Sequence, residues 1–77
     1  MSPEEAVLEV LGDADEPLHW TVIQDRALRA GYLDPFATPD VRGAVLTAVR
    51  ALVVDGRVVK TATGVYVLAG LGPVLDP

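Results

Sequence analysis

The chain has 77 residues, no cysteine and a formal charge of −5. That combination excludes a disulfide-stapled scaffold and a thiolate metal site, and it argues against a strong non-specific nucleic-acid binder. No apolar run approaches the ~20 residues that span a bilayer, and the opening Met1-Ser-Pro-Glu-Glu5 is acidic, unlike a signal peptide, so the chain reads as one small soluble, cytoplasmic domain.

The net charge conceals an asymmetry. Residues 1–25 hold seven acids and no Lys or Arg, whereas residues 26–77 hold all six bases against four acids. This describes a wet acidic first helix, or a bipolar domain whose basic side faces a polyanion. Hydrophobic residues make up 51% of the chain, mostly Val, Leu and Ala, which leaves apolar side chains over for a partner surface.

Taken in chain order, Ser2-Pro3-Glu4-Glu5 is a helix start: an N-cap serine, a proline at the first helical position and a glutamate placed for a capping box. The first helix is expected to run to about Gly12, burying Ala6, Val7, Val10 and Leu11. After a polar connection, Leu18-His19-Trp20 reads as a short strand. Thr21 and Gln24 have the spacing of a second capping box, opening a helix that ends near Ala30-Gly31. Its core residues are expected to be Val22, Ile23, Ala27 and Ala30, with Gln24, Asp25 and Arg29 facing solvent. The connection from Gly31 to Ala37 carries Tyr32, Leu33 and Phe36, which either pack on the core or anchor a partner; packing is the expectation.

Thr38-Pro39-Asp40 predicts a third helix, capped by Thr38, with Val41, Ala44, Val45, Ala48 and Leu52 on one apolar stripe. Asp55-Gly56 ends it. Arg57 to Lys60 and Val65 to Ala69 then read as two strands joined by the loop Thr61-Ala62-Thr63-Gly64. The expected fold is α+β: a winged helix-turn-helix with three helices and a two- to three-stranded antiparallel wing sheet, filling residues 1–69. Gly70 to Pro77 read as a flexible tail or linker.

The runs Ala6-Val-Leu-Glu-Val-Leu11, Pro17-Leu-His-Trp-Thr-Val-Ile23 and Arg26-Ala-Leu-Arg-Ala-Gly31 resemble the opening of HARE-HTH winged-helix domains. So do Thr38-Pro39 and the closing Asp55-Gly-Arg-Val-Val-Lys60 with Gly64-Val-Tyr-Val-Leu-Ala69. Members of that family occur in the delta subunit of bacterial RNA polymerase, in chromatin regulators, and fused to restriction endonucleases. The resemblance implies a non-catalytic module that brings transcription or DNA-modifying machinery to DNA. One departure is that Phe36-Ala37 stands where the family often has Gly-Lys before the Thr-Pro pair, removing a basic side chain from the tip of the third helix.

On the third helix, Arg42, Gly43, Leu46, Thr47, Arg50 and Val54 lie opposite the apolar stripe. Arg42, Thr47 and Arg50, with Arg57 and Lys60 on the wing, form the expected set for weak, salt-sensitive contact with double-stranded DNA. The opposing reading is a protein-docking or self-associating face built from Leu46, Val54 and Val59, with Tyr32 or Phe36 nearby. An enzyme is disfavoured. His19 is the single histidine, Glu5 and Glu9 are an isolated i, i+4 carboxylate pair, and no glycine pattern matches a phosphate loop. No catalytic residue, metal, cofactor, small-molecule substrate or membrane partner is expected.

Overall fold

The computed structural model describes residues 1–70. The elements are α1 (Pro3–Asp13), β1 (Leu18–His19), α2 (Trp20–Arg29), α3 (Val41–Val54), β2 (Val58–Ala62) and β3 (Val65–Leu68), the order of a winged helix. The fold is α+β. The three strands form one antiparallel sheet in the order β1-β3-β2, so the short segment before α2 pairs with the hairpin. Of the expected tail, Gly70 lies in a turn after β3, and residues 71–77 lie outside the described residues. Among the described residues no helix is long and apolar enough to cross a membrane.

Helix α1 forms as its first residues dictate. The Ser2 side chain accepts from the Glu5 N–H at 3.1 Å, and the Glu5 carboxylate accepts from the Ser2 N–H at 2.9 Å. Gly12 does not stop the helix, which continues to Asp13. Helices α2 and α3 both end in Schellman motifs. Gly31 and Tyr32 donate to Leu28 and Ala27, and Gly56 and Arg57 donate to Val53 and Leu52.

Two expected caps move. Thr21 is not the N-cap of α2: His19 is, its Nδ1 accepting from the Thr21 N–H at 3.2 Å. The cause is tertiary. The Trp20 N–H donates to the Gly64 carbonyl of the hairpin turn at 2.9 Å, so strand passes into helix with no spacer and Trp20 becomes helical. The Thr21–Gln24 capping box therefore does not form, and Gln24, expected in solvent, is half-buried, its Oε1 without a hydrogen-bond partner among the described residues. Thr38 is likewise not the N-cap of α3. Its N–H closes a turn onto the Asp34 carbonyl at 2.8 Å, and the stronger capping residue Asp40 accepts from the Gly43 N–H at 3.1 Å.

One apolar core joins all six elements. Ala6, Val7, Val10 and Leu11 meet Ile23 and Ala27 of α2, the loop residue Leu33, and Val41, Val45, Ala48, Val49 and Leu52 of α3. Leu18, Val58 and Tyr66 close it from the sheet, and among the described residues no polar or charged side chain is buried with them. Side chains as enclosed as Leu11, Ile23 and Leu52 each contribute roughly 1.5–3 kcal/mol through burial. Val22 and Ala30, expected in the core, are exposed: Val22 lies off the buried line of Ile23 and Ala27, and Ala30 is the C-cap, beyond the end of α2. Among the loop aromatics the packing expectation divides: Tyr32 is half-buried against the core, whereas Phe36 is 94% exposed.

Candidate nucleic-acid interface

Helix α3 and strand β2 position the basic side chains. Burial of Val41, Val45, Ala48, Val49 and Leu52 turns Arg50 and Val54 outward, with Val54 86% exposed. In β2, Val58 faces the core, so alternation puts Lys60 on the same face of the sheet and Val59 on the other. Lys60 stands opposite Tyr66 in the β2–β3 register. Arg50, Val53, Val54, Lys60 and Tyr66 thereby line one open groove of about 350 Å³, in which two cations stand among two valines and a tyrosine.

The five residues expected to touch DNA are not gathered on one face. Arg50 and Lys60 share the groove. The Arg42 guanidinium lies over the Trp20 ring, 5.4 Å from its centroid, on the flank of α3 towards α2. Thr47 is on the other flank, lining a separate groove of about 550 Å³ with Ser2, Glu4 and Asp40, where two nearby carboxylates disfavour a phosphate. Arg57 belongs to the turn that closes α3, before β2, and does not line the Arg50–Lys60 groove. Gly43 is not an open point of close approach, because the Asp40 cap carboxylate occupies the space a Cβ would fill.

The residues of the docking alternative disperse as well. Leu46 is half-buried, Val54 borders the Arg50–Lys60 groove, and Val59 lies on the outer sheet face. Thr61 and Thr63 are exposed at the wing tip, where β2 extends through Ala62 with an irregularity between Lys60 and Ala62.

The cations of the groove have no acidic partner: the one salt bridge among the described residues joins Arg29 to Asp25 at 3.0 Å. His19 is occupied structurally, its Nδ1 capping α2 and sitting 2.9 Å from Thr21 Oγ1. Glu5 is committed to the α1 capping box rather than to a cation shared with Glu9, and hydrogen bonding by Ser2, its backbone N–H first, holds the Glu5 carboxyl below the ordinary glutamate range.

Val53 and Tyr66 belong to the groove but were not expected there. Strand alternation opposite Lys60 is the signal that could have found Tyr66. Nothing local in the sequence announces Trp20 as a platform for Arg42, since the two meet only when α2 and α3 pack. Comparison with protein-family models, curated proteins and solved structures finds no match, so the HARE-HTH resemblance rests on the sequence motifs alone.

Proposed function

We propose that this chain is a non-catalytic winged-helix module of HARE-HTH type that holds double-stranded DNA weakly, placing a transcriptional or DNA-modifying activity on the duplex in the cytoplasm. The observation that carries the reading is the Arg50–Lys60 groove: two cations from separate elements, unpaired among the described residues, stand together beside the third helix. Two cations neutralise about two phosphates, so the logarithm of affinity should fall with the logarithm of salt at a slope near −2. That is roughly a tenfold loss between 50 and 200 mM.

An amide-resolved NMR titration with a short generic duplex, at low and at physiological salt, tests this. Shifts should centre on Arg50, Val53, Lys60 and Tyr66 and fade with salt, and Arg50→Glu with Lys60→Glu should remove them. Arg57→Glu should change little. Absence of shifts at low salt, where electrostatic binding is strongest, would overturn the reading. A protein-docking role is the second reading, supported by the exposed Val54 at the rim of the same groove.

A further inference from the structure

Phe36 is the most exposed large apolar side chain among the described residues, and its backbone is fixed by a turn. Its N–H donates to Asp34 Oδ1 at 2.9 Å, and the next two N–H groups, of Ala37 and Thr38, donate to the Asp34 carbonyl at 3.0 and 2.8 Å. The turn is therefore preformed, which lowers the ordering cost of any contact Phe36 makes. Its surroundings are anionic. The exposed Asp34 carboxylate stands against the Phe36 backbone, with acceptor capacity beyond that one bond. An aromatic knob beside a carboxylate is ill suited to a phosphate backbone and suits a partly apolar hollow that carries cations.

The chain carries such a hollow. The groove of Val53, Val54 and Tyr66 has Arg50 and Lys60 at its sides, and at about 350 Å³ it lies in the size range of small-ligand pockets, ample for one aromatic ring. We propose that Phe36 of one copy inserts into this groove of a second copy, with Asp34 facing Arg50 and Lys60. The knob precedes the first turn of α3 and the groove lies along its last turns. A helix of 14 residues is about 21 Å long, so the two features are at opposite ends of it: a single contact is head-to-tail, and an antiparallel pair makes the contact twice. A head-to-tail contact leaves a free knob and a free groove at the ends and permits more than two copies. The inference does not depend on DNA binding, and its test contains no nucleic acid.

A contact this small is weak, so association should emerge at roughly 0.1–1 mM. Sedimentation equilibrium or NMR diffusion across that range, at low salt, should show the mean mass of the wild-type chain rising with concentration. Phe36→Ser removes the knob and keeps the groove, whereas Arg50→Glu with Lys60→Glu spoils the groove and keeps the knob. All three positions are exposed, and dispersed amide spectra would establish that both variants remain folded. Each variant alone should stay monomeric, and an equimolar mixture should form a pair and nothing larger. A wild-type chain monomeric throughout, a variant that still associates alone, or a mixture that fails to pair would overturn the proposal.

Discussion

The Arg42 guanidinium lies 5.4 Å from the centroid of the Trp20 ring, tying the first turn of α3 to the first turn of α2. An arginine expected on the DNA-facing surface is thus engaged in holding two helix starts together. Cation–π contacts at partly exposed sites are worth about 0.5–1 kcal/mol. Arg42→Ala should destabilise the domain by about that amount in urea unfolding. Trp20 is the single tryptophan, so its fluorescence should also shift to the red as the ring gains water. Duplex affinity should fall less than in Arg50→Ala, because Arg50 lines the groove and Arg42 does not. Unchanged Trp20 emission in Arg42→Ala would show that the stacking is not maintained in solution.

The parts of the fold legible in the sequence are those decided within a few residues. Ser2 and Glu5 are three apart and form their capping box with no help from elsewhere; Gly31 and Gly56 close helices by the same local logic. The apolar stripe of α3 fixes its buried face, and with it the outward direction of Arg50. Illegible were the points settled by contacts across the fold. The choice of His19 over Thr21 as cap follows from a bond between Trp20 and Gly64, which are far apart in sequence. The choice of Asp40 over Thr38 is local by contrast: Asp40, the stronger cap, sits three residues before the Gly43 N–H it accepts from. Contacts across the fold also decide the interface. Arg50 and Lys60 meet because a helix face and a strand face are packed together, whereas Arg57, only three residues from Lys60, precedes the strand and does not line the groove.

Gly64 makes the hairpin and the His19–Trp20 corner mutually dependent. Its φ of +74° is in the left-handed region, and a Cβ there would stand 2.8 Å from His19 Nε2 and 3.3 Å from Trp20 Cδ1. Gly56 has nearly the same φ, +77°, with nothing within 4 Å of an added Cβ. The pair separates backbone strain from crowding. Gly56→Ala should cost about 1–2 kcal/mol from strain alone. Gly64→Ala should cost about 1–3 kcal/mol more, since the two rings must shift. Equal losses in urea unfolding would mean the rings yield freely and the corner is not tightly packed.

Glu5 gives the first helix a dependence on acid whose sign is fixed by its hydrogen bonds. The carboxylate accepts from the Ser2 N–H, and the Ser2 hydroxyl adds to the same effect, so the folded chain holds the Glu5 proton less readily than the unfolded chain does. A lowered folded value means the stabilisation is fully present above the ordinary glutamate pKa of about 4.3. It is then lost as pH falls through the lowered value. Glu5→Gln keeps an acceptor for the Ser2 N–H but cannot titrate. At neutral pH the wild-type chain should therefore be the more stable of the two, and the difference should close as pH drops below about 4. Urea unfolding of both proteins at pH 7 and near pH 3 measures the two gaps directly. A gap that stays constant across that range would show that the Ser2–Glu5 box forms equally well with either charge state.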